Sequence, residues 1–326
     1  MQAMVQDRYG PPEVLRIEDI DVPAIGPDEV LVEVRAAAID PGELALTTGV
    51  PYVIRLMGFG FRKPKVPVRG TDFAGLVEAI GASVTEFQPG DEVFGDCFRT
   101  GYGSLAEYTC ARADTLVGKP EGLTFEQAAA VPSSGPTALR ALRDLGEVTP
   151  GKTVLVIGAA GGVGTFAVQI AKTLGAEVTG LCSTAKMDLV RSIGADHVID
   201  YTKEEFADGV RRYDVILDTA GNRSLRHLRR GLAPDGTLVI IGGRGGRWVG
   251  GTDRNLRAMM LSPFIKQTLH APFFKGSKEA LQSVKELIEA GEVIPVIDRT
   301  YPLQEVPAAI RYIEAGRARG KVLITM

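Results

Sequence analysis

Cysteine is scarce in this 326-residue chain: Cys97, Cys110 and Cys182 stand far apart, with no CxxC pair. Such usage argues against a disulfide framework and fits a reducing compartment, for which the cytoplasm is the expectation. Long apolar runs are missing as well, since nothing approaches the roughly eighteen residues needed to span a bilayer. Residues 1–21 interleave acids and prolines with apolar residues, so neither a signal peptide nor an anchor is expected there. Charge of one sign is not in excess either, 37 basic residues facing 40 acidic ones for a net charge of −3. A field that weak gathers neither nucleic acid nor an anionic membrane, and neither is expected as a partner.

What is present is ordinary globular composition, 45% hydrophobic and 24% charged, on a chain long enough for two cores. From Met1 to about Lys119 the sequence reads as short β-type runs broken by Gly and Pro. Glu29–Ala36, Gly75–Ile80 and Glu107–Cys110 are examples, and Gln88-Pro89-Gly90-Asp91 is a turn. Beyond Lys119 helical spacing appears over 124–131 and 135–145, and strands and helices then alternate. Strands are predicted at 153–157, 177–181, 197–199, 214–217 and 237–241, with helices at 163–174, 186–193 and 223–231. That order predicts a parallel, doubly wound sheet. The tail returns to a mixed texture, with a helix over 277–290, strands at 293–298 and 322–325, and a helix over 306–315. A βα domain at 121–274, inserted into a β-rich domain at 1–120 and 275–326, is the economical reading.

The strongest local signal is Gly158-Ala159-Ala160-Gly161-Gly162-Val163-Gly164, placed between a predicted strand and a predicted helix. As a dinucleotide fingerprint it runs Ala159-x-Gly161-x-x-Gly164, with Ala in the first glycine position. Gly161 admits a pyrophosphate to the backbone, Gly164 lets helix pack on strand, and Gly162 and Val163 open the helix whose N-terminus receives the charge. An acid at the end of the next strand would select NAD, yet Val178–Lys186 contains none. Ser183, Thr184 and Lys186 offer hydroxyls and a cation that suit a 2′-phosphate, so NADP(H) is the expected cofactor.

Taken together, the motifs resemble the medium-chain dehydrogenase/reductases over nearly the whole chain. Tyr9–Leu15 looks like their opening segment, and Gly70-Thr71-Asp72-Phe73-Ala74-Gly75-Leu76-Val77 like their GxExxGxV segment with Asp for Glu. Gln88–Val93 is similar to their PGDxV turn and Gly103–Tyr108 to their GxxAEY strand. Ala130-Val131-Pro132, Gly161–Gly164 and Gly194-Ala195-Asp196 resemble the quinone oxidoreductase group. The resemblance implies a GroES-like β-rich catalytic domain beside a Rossmann domain. It also implies a homodimer, through pairing of the strand near 266–274 with its copy. Thr137, Gly242 and Gly243 match family positions at the nicotinamide ring or its neighbouring backbone, Asn222 falls near the adenosine or ribose, and Tyr201 is a further cofactor-binding candidate.

Zinc relatives carry Cys, His and Cys or Asp ligands in three regions, which here read Ala36–Pro41, Thr71 and Val131–Gly135 and contain neither Cys nor His. His197, His227 and His270 all come later, at spacings that make no shared site with the cysteines, so no metal is expected. A metal-free site favours hydride addition to a conjugated acceptor, whose developing negative charge is delocalised, over work on a simple alcohol. The small-molecule substrate is therefore expected to be an electrophile, a quinone or an α,β-unsaturated carbonyl. Asp40 stands where zinc-free relatives resemble an Asn facing the substrate, and Tyr52 is the candidate proton donor, with a packing role as its alternative. For Asp72 a backbone or arginine partner is expected. The competing reading of the whole chain is a non-catalytic NADPH-binding sensor or structural protein.

Overall fold

A computed structural model describes every residue other than Tyr102, Arg244, Gly245 and Lys275. The early strands are β1 (Gln2–Val5), β2 (Arg16–Asp19), β3 (Glu29–Ile39), β4 (Asp72–Ile80), β5 (Glu92–Asp96), β6 (Tyr108–Arg112) and β7 (Leu116–Gly118). Then come β8 (Thr153–Ile157), β9 (Glu177–Cys182), β10 (His197–Asp200), β11 (Tyr213–Asp218), β12 (Leu232–Ile240) and β13 (Thr268–His270). The last are β14 (Ile297–Pro302) and β15 (Lys321–Thr325). Helices are α1 (Pro41–Thr48), α2 (Phe125–Ala129), α3 (Ser134–Leu139), α4 (Gly162–Thr173) and α5 (Met187–Ser192). Following them are α6 (Leu225–Gly231), α7 (Thr252–Leu261), α8 (Lys278–Glu289) and α9 (Val306–Glu314).

The chain divides into two units, one of Met1–Pro136, Gly276–Glu289 and Pro295–Met326, the other of Thr137–Lys275 and Ala290–Ile294. Residues 121–136, placed by the sequence reading with the second domain, fold with the first unit because α2 packs on β3 and β4.

In the first unit the sheet order is β14-β15-β3-β4-β5-β7, with β6 also on β3. Val30, Val32 and Val34 alternate into its core as a half-buried strand requires, each contributing about 1.5–3 kcal/mol on burial. Past Val34 the pattern becomes Ala36-Ala37-Ala38-Ile39, all buried, where β15 and β4 flank the strand and Ala130 and Leu323 cover Ala38. Small side chains let both neighbours close in at this end of the sheet, where the site lies.

The second unit is a parallel sheet ordered β10-β9-β8-β11-β12-β13, the doubly wound pattern. Val154–Ile157 is continuously buried, as a strand covered on both faces must be. Two strands differ from expectation. The one expected at 293–298 forms at Ile297–Pro302, and the one expected across 266–274 is only Thr268–His270. Helices α1 and α7 had no sequence forecast: α1 is announced only by Pro41, and α7 leaves the glycine-rich loop with the polar run Thr252–Asn255.

Candidate active site

Parallel strands deliver their following loops to one edge of a sheet. Ala159, Gly161, Gly162, Val163 and Gly164 follow β8, Ser183, Thr184 and Lys186 follow β9, and Tyr201 follows β10. Asn222 comes after β11, and Gly242 and Gly243 after β12, so the sheet gathers all of these residues along its C-terminal edge. Thr137, the remaining cofactor candidate, lies half-buried in α3.

The turn after β8 is shaped by two glycines. Gly158 has φ +82°, and a Cβ there would meet Thr219 Oγ1 at 2.5 Å. At Gly164 a Cβ would lie 2.1 Å from the Gly158 carbonyl oxygen, so α4 reaches the strand only without a side chain. Gly161 is less constrained, its nearest neighbour 3.3 Å from a Cβ at φ −88°. Its missing side chain instead clears the first turn of α4, where Gly162, Val163 and Gly164 present N–H groups without intrahelical acceptors.

Beyond β9, Thr184 Oγ1 donates its hydrogen to Asp200, whose carboxylate also accepts from Thr202 N at 3.0 Å and Thr202 Oγ1 at 2.7 Å. These hydrogen bonds, Thr184 first, hold the Asp200 carboxyl down at about 2. In this structure Thr184 thus donates to Asp200, and Ser183 and Lys186 stand beside it after β9. Tyr201 is exposed, with the Arg223 guanidinium 5.8 Å from its ring centroid, a cation the sequence reading passed over.

The strand-end Asp218 is fully buried, and burial pushes its carboxyl upward. It accepts from Gly221 N at 2.9 Å and from Arg254 at 2.9 Å. Arg254 also donates to the carbonyls of Gly242 at 2.6 Å and Arg223 at 2.9 Å. One guanidinium from α7 thus pins the starts of both loops that carry Asn222 and Gly242.

In the first unit, sheet register builds a second centre. Ala38 of β3 faces Asp72 of β4, and Ile39 faces Val322 of β15, which brings Asp40, Asp72 and Lys321 to neighbouring strand ends. Lys321, 1% exposed, donates from Nζ to Asp40 Oδ1 at 2.7 Å and Ser134 Oγ at 3.2 Å, and lies 3.6 Å from Asp72 Oδ2. Asp72 accepts from Ser133 N at 3.0 Å and from the Ser133 hydroxyl. The backbone partner expected for Asp72 is thus Ser133 N, and its cation is Lys321 in place of the expected arginine. Burial, helped by the charge of Asp40, pushes the Asp72 carboxyl up to about 7. Lys321 is held above its ordinary value because Asp40 and Asp72 outweigh the burial that opposes its charge.

The stretches that carry metal ligands in zinc relatives, 36–41, 71 and 131–135, converge here. Around their meeting point stand Asp40, Asp72, Ser133, Ser134 and an ammonium. That donor set does not fit zinc, because a fixed cation already neutralises the carboxylates. Among the described residues no group of three His, Cys, Asp or Glu could hold a metal ion.

Tyr52 is half-buried, its ring centroid 4.9 Å from the Arg55 guanidinium, and Tyr9 stands on the same guanidinium at 4.4 Å. Arg55 donates to the carbonyls of Gly49 at 2.9 Å and Thr48 at 3.3 Å, closing the end of α1. The structure thus engages Asp40 and Tyr52 with different cations. Lys321, Ser134 and Arg254 went unread in the sequence. The one available signal was a lysine opening the buried run Val322–Ile324.

A glycine turn on a parallel sheet ordered in this way, joined to a β-rich unit, defines a two-domain dinucleotide-fold oxidoreductase. Three family models match: the alcohol dehydrogenase GroES-like domain over 26–121, the alanine dehydrogenase/PNT C-terminal domain over 127–222 and the zinc-binding dehydrogenase over 193–324. The chain is 35% identical to the mitochondrial NAD(P)H oxidoreductase RTN4IP1 of Mus musculus, over 100% of this chain and 89% of that one. It is 34% identical to the chloroplastic NADPH-dependent alkenal/one oxidoreductase of Arabidopsis thaliana, over 99% of this chain and 79% of that one. Its fold matches Escherichia coli quinone oxidoreductase complexed with NADPH at a TM-score of 0.85 and 26% identity, over 100% of both chains. The chain belongs to the quinone oxidoreductase-like group of the medium-chain dehydrogenase/reductases.

Proposed function

We propose that this chain transfers a hydride from NADPH to a quinone or an α,β-unsaturated carbonyl without a metal. The observation that carries the reading is the C-terminal edge of the parallel sheet, where the Gly158–Gly164 turn opens α4 and Ser183 and Lys186 follow β9 with no acid between Val178 and Lys186. Similarity to an NADPH-dependent alkenal/one oxidoreductase and to a quinone oxidoreductase complexed with NADPH supports both cofactor and acceptor. NADPH bound there supplies a hydride. Gly161–Gly164 would hold its pyrophosphate, Ser183 and Lys186 its 2′-phosphate, Tyr201 and Asn222 the adenosine and ribose, and Thr137, Gly242 and Gly243 the nicotinamide. Asp40 and Tyr52 serve the acceptor, whose charge after hydride arrival spreads onto a conjugated oxygen. The relatives described are enzymes, so the non-catalytic alternative has no support among them.

In this reading Thr137–Lys275 is the cofactor unit and the other the catalytic one. Two copies pair through β13, which ends the sheet with Phe264 exposed beside it and Met259 and Met260 exposed on α7. Three free cysteines suit a reducing compartment, the cytoplasm in the simplest case. The test is NADPH oxidation followed at 340 nm against para-quinones, enones, alkenals and plain aldehydes. Turnover of conjugated acceptors is expected. Tight NADPH binding without turnover of any acceptor, or efficient NADP-linked oxidation of simple alcohols, would refute the proposal.

A further inference from the structure

The C-terminal edge of the parallel sheet carries the cofactor candidates, and the opposite edge of the same sheet gathers charge of one sign. Arg212 stands immediately before β11, Pro234 lies near the start of β12, and Lys266 and Gln267 lead into β13. Together with Ile265 and with Arg226, Arg229 and Arg230 of α6 they line a cavity of about 450 Å³. Five of the eight lining residues are cations and none is an acid. Among the described residues none of the five forms an ion pair, not even with Asp235, which directly follows Pro234.

Holding these cations together works against the stability of the unit. Residues 226, 229 and 230 are related as i, i+3 and i+4, so three guanidinium groups share one face of α6 and repel one another. The helix dipole favours Arg229 and Arg230 in the last turn, but it opposes Arg226 in the first. Two of the five are moreover aimed by neutral groups. Arg229 Nε donates to Gln267 Oε1 at 2.8 Å, and the Gln267 amide, 8% exposed, donates in turn to the carbonyls of Arg229 and Ala233, each at 3.1 Å. Arg212 donates to the carbonyls of Arg230 at 3.4 Å and Leu232 at 3.2 Å. A carboxylate at 267 would orient Arg229 and cancel its charge, whereas the amide orients it and leaves the charge standing.

We propose that this cavity is a second anion site, at the sheet edge away from the cofactor loops, and that it takes a soluble polyphosphorylated anion. Guanidinium forks match phosphate oxygens in pairs, and a cleft lined by one sign of charge concentrates ions of the other. A single phosphate would leave most of the five cations uncompensated, while a chain of phosphoryl groups meets them together. The lining offers no aromatic ring on which a base could stack, so the phosphate chain and not a nucleoside is what the site recognises. A ligand held by Arg212, α6 and Lys266 ties the starts of three neighbouring strands, β11, β12 and β13, to one another. Its binding therefore stabilises the unit.

The experiment titrates the full chain by calorimetry with NADPH saturating, so that the groups binding the cofactor's own phosphates are occupied. The probes are sodium tripolyphosphate, sulfate at matched ionic strength and a short oligouridylate. Tripolyphosphate is expected to bind once per chain and, at about 100 times its Kd, to raise the melting temperature by roughly 5–10 °C. Arg226→Gln combined with Arg230→Gln removes two exposed cations, and it should keep the fold and the NADPH affinity while weakening tripolyphosphate by at least about tenfold. Gln267→Glu, which gives Arg229 the carboxylate it lacks, should weaken tripolyphosphate in the same direction. Sulfate that raises the melting temperature as much as tripolyphosphate does would reduce the effect to general screening and overturn the site. No tripolyphosphate binding by the parent, undiminished binding by the double variant, or binding of the oligouridylate alone would overturn it equally.

Discussion

Replacing Arg254 by methionine breaks a buried ion pair in the unit that contains Thr137–Lys275. Arg254 is 11% exposed and Asp218 fully buried, so truncation leaves a carboxylate in the interior with only Gly221 N and backbone dipoles as partners. Breaking such a pair from one side costs about 3–5 kcal/mol, because the remaining charge has no way back to water. A unit of about 140 residues unfolds with roughly 0.3 kcal/mol per degree, so its melting temperature should fall by about 10–17 °C. The sign of the pH dependence follows from burial, which raises the Asp218 carboxyl and would raise it further without the guanidinium. A carboxyl raised on folding adds stability below its unfolded value and loses that contribution as pH climbs through its folded value. The deficit of Arg254→Met relative to the parent should therefore be small near pH 5 and large near pH 8.5. Since the Gly242 and Arg223 carbonyls lose their donor as well, the KM for NADPH should rise by about tenfold. Differential scanning calorimetry at both pH values and an NADPH titration read these effects. A deficit equal at both pH values, or a shift under about 2 °C, would show that packing and not charge gives Arg254 its weight.

Lys186→Ala should weaken NADPH by about 1–3 kcal/mol and leave NADH nearly untouched, as measured by fluorescence titration; equal losses would place Lys186 away from the 2′-phosphate. Gly164→Ala, whose Cβ would fall 2.1 Å from the Gly158 carbonyl, should cost about 1–3 kcal/mol in urea unfolding and weaken both cofactors together. Tyr52→Phe keeps the ring against Arg55 and should lower kcat more than it changes NADPH affinity, whereas an unchanged rate would make Tyr52 a packing residue. Elemental analysis should find no stoichiometric zinc, and chelators should leave turnover intact; about one tightly held zinc per chain with chelator inactivation would contradict the metal-free reading.

Much of the architecture was legible because it is written in local periodicity. The run Thr153–Ile157, the turn Gly158–Gly164 and α4 follow one another within about twenty residues, and local geometry favours glycine at both ends of the turn, through a φ of +82° at 158 and the nearby Gly158 carbonyl at 164. Period-two alternation at Val30, Val32 and Val34 likewise declares a strand with one buried face. Boundaries fared less well where tertiary contacts set them. Residues 121–136 join the first unit because α2 packs on β3 and β4, a choice that no feature of their own sequence records.

The sequence by itself determined the strand–turn–helix unit, the absence of an acid after β9, and the lack of Cys and His in the three ligand stretches. These are statements about neighbours along the chain. Only the tertiary structure decided where the charges go. Asp40 and Lys321 are separated by 281 positions, and Arg254 and Asp218 by 36, yet each pair is held at hydrogen-bonding distance by sheet register and helix placement. A buried charge has to find a partner somewhere in the fold, and periodicity says that a position is inside without saying what it meets there.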